Sequence, residues 1–309
     1  MKKYKNSIII FTVTLTILFL SELFTERTIE KYRKGTVGKI NAVVDHKLDA
    51  EITIWGASTA YVNINPKIIQ DSLKMTTMNM GIDGTNIDQF YGLLNEFLNY
   101  TQKSKFLIIA IDAPGGICNR KYIYNLHNWI HHLDNENIYE SLKDIDSSLI
   151  VKSKYVPFYK MTMYNKHSFS YFRKSLFNQE NKYSFPELGF ENTKKAIINS
   201  ITLTPRRVEI GLRAFKKLKD VCDLAVKRNI RPIIVITPCY VKGQEYIINY
   251  DKITEKVQSI SNKKISVFDF SKDSFSFEQK HFLDFTHLNL QGSKSFSSKL
   301  AQSLIEAGL

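Results

Sequence analysis

Cysteine is scarce in this sequence, and the cysteines present form no recognisable pair. Cys118, Cys222 and Cys239 are the three cysteines among 309 residues. No two of them have the C-x-x-C spacing of zinc or redox motifs. An odd number of widely separated cysteines also argues against a disulfide framework. We therefore predict three small, buried apolar side chains and no covalent scaffold.

Glycine and proline are also few, at 13 and 7 residues, whereas 43% of the chain is hydrophobic. This composition excludes a collagen-like or long disordered chain and suits one large globular domain, with or without an insertion. Zinc-finger, RNP and helix-turn-helix signatures are missing as well. The net charge of +13 therefore predicts anionic lipid or acidic polysaccharide as a neighbour, and no nucleic acid.

An uncharged apolar run stands at the N-terminus. Three lysines in MKKYK precede Asn6–Ser21, which carries no charge and is slightly shorter than the ~20 residues of a typical spanning helix. No small-residue cleavage site follows it, so an uncleaved signal anchor is favoured over a cleaved signal peptide. We predict a single-pass membrane anchor over residues 1–24, a charged stalk with some helix in it over 25–48, and an extracytoplasmic domain over 49–309.

Short, nearly continuous apolar runs indicate strands that are buried on both faces. They are EITIWG, MTTMNMG, KFLIIAID, IRPIIVITP and KISVFDFS, and segments with helical spacing separate them. The resulting order, β-α-β-α-β followed by α-β-α-β-α, predicts an α/β fold: a three-layer parallel sheet with helices on both faces.

Residues 113–204 interrupt this alternation and contain no strong strand pattern. We predict an inserted, mostly helical cap over the carboxyl ends of the strands, where open α/β sheets bind ligands. We expect this insertion to be removable without unfolding the domain. Within it, residues 152–182 hold seven Lys or Arg and eight Phe or Tyr. Three interpretations fit them: a groove for an acidic or sugar polymer, a patch on anionic lipid, or a cap whose aromatic rings pack on the sheet.

A serine and an Asp–His pair stand where chemistry is expected. Ser58 follows the first predicted strand in IWGASTAYV, and Asp284 and His287 lie three residues apart in HFLDFTHLNLQG. His287 can take a proton from a hydroxyl, and Asp284 can fix the tautomer of the imidazole. The structural alternatives are a helix cap at Ser58 and a polar loop in which Asn289 caps the last helix.

Taken in order, GAS, NMG and DFTHLN resemble the SGNH/GDSL hydrolase family. In that family a serine follows the first strand, a glycine the second and an asparagine the third, and a D-x-x-H pair lies near the C-terminus. The resemblance covers about residues 50 to 309 without the insertion. It implies an SGNH/flavodoxin-like fold and an acyl-serine mechanism with Ser58 as nucleophile, His287 as base and Asp284 as its partner. It implies no cofactor.

The third block departs from the family. The N–H groups of Ser58 and Gly81 are the expected oxyanion donors, and a glycine at 81 leaves room for substrate. Where the family has asparagine, this chain has Asp112, and an ionised carboxylate only accepts hydrogen bonds. Asp112 is therefore interpreted as protonated, as a ligand of a sugar hydroxyl, or as structural. Asn86 is a candidate substitute donor.

Histidines inside the predicted cap raise the question of a metal site. His127 and His131 are four residues apart with Asp134 nearby, a spacing that can hold zinc. No H-E-x-x-H frame accompanies them. We therefore predict no metal.

Two functions follow from these patterns. The first is a serine esterase or O-acyltransferase that acts on acyl esters of cell-envelope polysaccharide through an acyl-serine intermediate. The second is a catalytically weak module that binds glycan or assists a membrane acyltransferase. The residues alone do not separate hydrolysis from transfer, because both reactions use the same three side chains.

Overall fold

The computed structural model describes residues 2–177, 182–191 and 204–309. Within these residues the strands form one sheet in the spatial order β2-β1-β3-β4-β5, and every neighbouring pair is parallel. The strands are β1 (Ile52–Gly56), β2 (Thr77–Asn79), β3 (Phe106–Ile111), β4 (Arg231–Ile236) and β5 (Ser266–Asp269). This confirms the predicted α/β fold with a parallel sheet.

The helices precede, connect and cover the strands. In chain order they are α1 (Lys2–Ile29), α2 (Gly35–Val44), α3 (Ser58–Asn63), α4 (Pro66–Leu73), α5 (Ile87–Tyr100), α6 (Glu136–Lys143), α7 (Ser147–Tyr155), α8 (Lys166–Phe177), α9 (Leu212–Lys227), α10 (Val241–Glu245), α11 (Tyr250–Gln258) and α12 (Leu290–Glu306). Short 3₁₀ turns occupy Leu126–Asn128, Ile130–His132, Lys160–Met163, Pro186–Gly189, Ser274–Phe277 and Gln279–His281.

Successive side chains along a strand point to opposite sides of the sheet. Because the strands are apolar at nearly every position, both faces of the sheet are apolar. Ile108 and Ile233 belong to a core with α3, α4 and α12. Their neighbours Ile109 and Ile234 belong to the core with α5 and α9 on the other face. All four side chains are fully buried, which explains why the strand sequences are continuous apolar runs rather than alternating ones.

Part of the predicted insertion belongs to the main core. Helix α6 packs along α5, and Trp129, Ile138 and Leu142 are buried in the same cluster as the strand residues. The structure argues against the expectation that this insertion is removable, because its removal would expose large apolar side chains. Residues 178–181 and 192–203 of the insertion lie outside the described residues.

The predicted stalk over residues 25–48 also needs correction. Helix α2 lies inside it, and Val37, Ile40 and Val43 are buried. The buried Asn41 side chain donates hydrogen bonds to the carbonyls of Ile29, Glu30 and Tyr32, at 3.1, 2.9 and 2.8 Å. These bonds satisfy the carbonyls at the end of α1. The chain therefore enters the domain directly from α1.

Helix α1 is the one helix among the described residues that is long and apolar enough to cross a membrane. Its candidate span is Tyr4–Ile29, with a mean hydropathy of 2.1 in its most apolar window. None of that window is buried against the rest of the protein. Length and composition are equally compatible with a signal sequence, so the membrane anchor remains a proposal.

Candidate active site

Ser58 lies at the carboxyl end of β1 and is the first residue of α3. Ala57, in extended conformation, is the N-cap, and no side chain caps this helix. The Ser58 Oγ instead lies 2.7 Å from His287 Nε2. The structure therefore does not support a capping role for Ser58, and its hydroxyl contacts a base located 229 residues away in the sequence.

The tight turn before Ser58 requires glycine at its first position. A Cβ built on Gly56 would lie 2.6 Å from the Ala110 carbonyl oxygen and 2.8 Å from the Ala60 Cβ. Neither contact is sterically possible, since one is to the adjacent strand and the other to the first turn of α3. Gly56 thus allows β1 to end directly beneath the helix that carries the serine.

His287 is oriented by Asp284 from the same loop. Asp284 Oδ2 lies 2.6 Å from His287 Nδ1. The other carboxylate oxygen accepts hydrogen bonds from the backbone N–H groups of Thr286, at 2.8 Å, and His287, at 2.9 Å. The carboxylate is fixed by the loop it orients, so Nε2 of the imidazole faces Ser58.

The charges around His287 and Asp284 favour the protonated imidazole and the ionised carboxylate. Burial by itself would lower the pKa of His287, but the Asp284 carboxylate and the nearby Asp112 and Asp83 carboxylates outweigh burial and raise it. Burial would raise the pKa of Asp284, but the His287 contact and the loop N–H groups lower it. An imidazolium formed by proton transfer from Ser58 is therefore stabilised.

Asn63 joins the two loops of the site, and sequence reasoning missed it. Its side chain, fully buried at the end of α3, donates to the Thr286 carbonyl at 2.8 Å and accepts from the Leu288 N–H at 2.8 Å. Both partners flank His287. The helix that carries Ser58 and the loop that carries the base are thus connected in two places, and no local sequence signal marks Asn63 for this role.

Gly81 does not offer the oxyanion donor that the sequence suggested. Its N–H donates to the Asn79 side-chain oxygen at 2.8 Å. The Asn79 amide group also donates to the carbonyls of Ala60 and Ile64, at 2.8 and 2.9 Å. Glycine is needed here because a Cβ would lie 2.5 Å from the Tyr61 backbone nitrogen. The role of Gly81 is therefore close packing against α3.

Asn86 is also structural rather than a substitute donor. Its side-chain oxygen accepts from the Asp88 N–H as the N-cap of α5. Its amide group donates to the carbonyls of Gly115 and Cys118, at 3.0 and 2.8 Å. Both N–H donors of the side chain are therefore used. Among the described residues no backbone carbonyl outside α3 accepts a hydrogen bond from the Ser58 N–H, and the first turn of a helix offers it no intrahelical carbonyl partner.

Asp112 follows β3 beside the catalytic candidates and lines a cavity of about 490 Å³. Asp284 lines the same cavity, and its apolar wall contains Pro114, Cys239, Tyr246, Ile247 and Phe285. Burial raises the pKa of Asp112, while nearby His287 lowers it less strongly. Asp112 thus stands at the switch point between β1 and β3, where open α/β sheets bind ligands.

A second cavity, of about 590 Å³, opens near Tyr61, which is three residues after Ser58. The buried Lys39 Nζ lies 4.5 Å above the Tyr61 ring and donates to the carbonyls of Gly81, at 3.0 Å, and Gly189, at 2.7 Å. Burial lowers the pKa of Lys39 to about 7. The Tyr61 hydroxyl contacts the Glu191 carboxylate. Sequence reasoning assigned Lys39 to a stalk and so missed it.

The histidines of the cap do not assemble a metal site among the described residues, where no group of three or more His, Cys, Asp or Glu side chains could hold an ion. His127 stacks on His167 with ring centroids 4.7 Å apart. His131 and His132 are buried, and burial lowers their pKa values to about 3 and about 4. They are uncharged packing residues at neutral pH.

A doubly wound α/β sheet with a Ser–His–Asp relay at its carboxyl edge is an arrangement that can perform nucleophilic acyl transfer.

No family model and no curated protein matches this sequence. Among solved structures, a protein assigned to the lipolytic G-D-S-L family from Desulfitobacterium hafniense DCB-2 is 11% identical, with a TM-score of 0.41, and the match covers 82% of this chain and 98% of that one. A protein assigned as an acylhydrolase, from Bacteroides fragilis NCTC 9343, is 12% identical, with a TM-score of 0.39 and coverage of 83% and 86%.

Proposed function

We propose that this protein is a membrane-anchored serine hydrolase of the SGNH/GDSL type that cleaves or transfers carboxylic acyl esters. The observation that carries the proposal is the continuous contact from Ser58 Oγ through His287 to the Asp284 carboxylate, at 2.7 and 2.6 Å. The first distance lies within the range in which a base activates a hydroxyl nucleophile, and the second lets the carboxylate orient that base.

The proposed reaction has two stages. His287 Nε2 takes the Ser58 proton while Oγ attacks the ester carbonyl carbon, and the Ser58 N–H stabilises the oxyanion. The C–O bond of the ester then breaks, and the leaving alcohol takes the proton from His287. An acyl-serine remains. In the second stage His287 takes a proton from water or from an acceptor hydroxyl while that oxygen attacks the acyl carbon. The bond from the acyl carbon to Ser58 Oγ then breaks, Oγ takes the proton back from His287, and an acid or a new ester is released.

We infer an envelope polysaccharide as the substrate. The chain has a net charge of +13, which favours an acidic polymer, and α1 would keep the domain on the outer side of the cell membrane as a single-pass anchor. Sugar units of such a polymer would contact Asp112 in the cavity of about 490 Å³ and Tyr61 in the cavity of about 590 Å³. A membrane acyltransferase is the partner we propose for the supply or removal of the acyl group.

A second candidate function, a weakly catalytic glycan-binding or accessory module, is favoured by the oxyanion donors. The Gly81 N–H and both Asn86 donors are used within the protein. Loss of one oxyanion donor lowers a rate by ~10²–10³. A slow enzyme that mainly presents glycan to a partner would have this arrangement.

A serine-directed fluorophosphonate probe separates these functions. The active enzyme should become labelled on one peptide that contains Ser58. Ser58→Ala should abolish the labelling, whereas Ser298→Ala, at an exposed serine of α12, should leave it unchanged. Folded, unlabelled wild-type protein would refute the hydrolase and leave the binding module. For a labelled enzyme, an added sugar acceptor that shifts products of p-nitrophenyl acetate from acetate to sugar ester would indicate transfer.

A further inference from the structure

The end of α1 is held rigidly by the cap. The Phe24 ring packs edge-on against Phe172 of α8, with ring centroids 5.8 Å apart. One turn later, Thr28 and Ile29 are buried, with 5% and 0% of their surfaces exposed. The helix therefore enters the domain while still helical, and no linker separates the apolar run of α1 from the folded core.

An ion pair and a second ring contact also hold the end of α1 against the cap. The Lys160 Nζ of the cap lies 2.5 Å from the Glu26 carboxylate, and only 8% of Lys160 is exposed. The rings of Tyr32 and Tyr171 lie 5.2 Å apart. A mostly buried pair of opposite charges resists separation, because either charge alone would be desolvated without a partner. The angle between α1 and α8 is thus set by the fold.

This junction lies where the apolar surface of α1 ends. Residues Ile8 to Phe24 present exposed apolar side chains. At ~1.5 Å per residue they cover roughly 25 Å, close to the ~30 Å hydrocarbon core of a bilayer. Phe24 therefore marks the expected boundary of the hydrocarbon. In a bilayer spanned by α1, the packing of Phe172 against Phe24 would place α8 at the depth of the headgroups.

Helix α8 has the residue pattern of an interfacial helix on the side away from its buried serines, Ser168 and Ser175. Exposed residues three or four positions apart share one side of a helix. One such set on α8, which we call the α8 flank, consists of Lys166, Phe169, Arg173 and Leu176. Phe169 is 66% exposed. Apolar side chains between basic ones are typical of helices that lie in an anionic membrane surface.

We propose that the α8 flank rests in the headgroup layer of an anionic bilayer and, together with α1, fixes the orientation of the domain on the membrane. This inference depends on the membrane anchor of the proposed function. The basic side chains would meet lipid phosphates, while Phe169 and Leu176 would enter the upper acyl region. The active site would then face the envelope at a fixed height, without the free rotation that a stalk would give.

Tryptophan fluorescence in the full chain tests this placement. The native Trp55 and Trp129 are fully buried, so they supply a background that lipid does not quench. Phe169→Trp places a reporter on the α8 flank. In vesicles of phosphatidylcholine and phosphatidylglycerol with brominated acyl chains, this reporter should be quenched, more by bromine near the headgroup than by bromine near the chain end.

Phe277→Trp is the matched control. Phe277 is 61% exposed and lies in the 3₁₀ turn after β5. Phe275 of this turn packs against the core on one face of the sheet, whereas Trp129 of the cap lies in the core on the other face. Its quenching should be much weaker. Leu176→Trp gives a second reporter on the flank if Phe169→Trp fails to fold. Unquenched reporters at both flank positions, or equal quenching at Phe277, would overturn the proposal, and the first result would leave the flank as a surface for a protein partner.

Charge reversal and probe labelling complete the design. Arg173→Glu in the Phe169→Trp background should reduce quenching in anionic vesicles and have little effect in pure phosphatidylcholine. Equal quenching with both charges would contradict the anionic-lipid component. Fluorophosphonate labelling of Ser58 in the same vesicles keeps the two proposals apart: a labelled enzyme with unquenched reporters refutes only the docking, and a quenched but unlabelled protein refutes only the hydrolase.

Discussion

The surroundings of Ser58 and the α8 flank lie at the surface of the same domain, but they are held there by different means. Ser58 follows a fully buried strand by two residues, and the His287 loop is joined to α3 by Asn63. The α8 flank depends on the packing of Phe172 against Phe24 of α1 and on the ion pair between Glu26 and Lys160 of the preceding 3₁₀ turn. Reacting atoms must be positioned to within tenths of an ångström, and strand ends and paired hydrogen bonds provide this precision. Contact with a membrane surface requires less precise positioning.

The largest effect is expected where the positioning is tightest. Ser58→Ala and His287→Ala should each lower ester hydrolysis by roughly 10⁴–10⁶, because proton transfer and attack are lost together. The double variant should be no slower than either single one. Steady-state kinetics on p-nitrophenyl acetate, with circular dichroism to verify folding, measures this. Additive losses in the double variant would show that the two side chains do not act as a unit.

Asp284→Asn should produce the next largest loss, up to ~10⁴, because an amide favours the wrong imidazole tautomer. It should also move the pH profile. His287 must be uncharged to act as base, so activity falls as pH drops through its raised pKa. Without the Asp284 carboxylate that pKa should fall, and the acid limb of kcat/KM should move to lower pH. An unmoved limb would mean that another group controls it.

Within the cap, buried and exposed aromatic residues should behave very differently. Trp129→Ala should destabilise the protein by about 3–5 kcal/mol, since Trp129 is fully buried in the main core and its loss leaves a cavity. Phe169→Ala should change stability in detergent by no more than about 0.5 kcal/mol. Urea unfolding monitored by circular dichroism compares them. A loss of stability well below this range in Trp129→Ala would instead support the expectation that the insertion is removable.

A smaller effect is expected at the buried Lys39, which donates hydrogen bonds to two separate segments of the chain. Lys39→Met should cost about 1–3 kcal/mol, because the carbonyls of Gly81 and Gly189 lose a buried donor. Lys67→Met, at an exposed ion pair on α4, is the control and should be nearly neutral. The same urea titration measures both variants. Equal midpoints would show that water replaces the ammonium group without cost.

Sequence reasoning predicted the sheet well because the signal for a doubly covered strand is local. In KFLIIAID and IRPIIVITP, the strand residues that face either of the two cores are apolar. The turn after β1 and the Asp–His loop could likewise be located from short motifs. Their contact was inferred from a family resemblance, and the distances between Ser58, His287 and Asp284 now support it geometrically.

Polar residues with distant partners were not predictable in the same way. Lys39 and Asn41 gave residues 25–48 a polar appearance, and the segment was interpreted as a stalk. Both side chains are buried because carbonyls from other segments accept their hydrogen bonds. Gly81 and Asn86 were assigned as donors from position alone, while their donors are used by Asn79, Gly115 and Cys118.

The sequence by itself thus determined the α/β class, the strands and the apolar N-terminal helix, and it located the short motifs that hold Ser58, Asp284 and His287. Each of these depends on periodicity or on residue types within a few positions. Only the tertiary structure decided which polar groups are free to act, that the cap shares the core, and that α1 enters the domain without a stalk. Those features depend on hydrogen bonds and packing between segments far apart in the chain, and no local pattern encodes the partner of a buried polar atom.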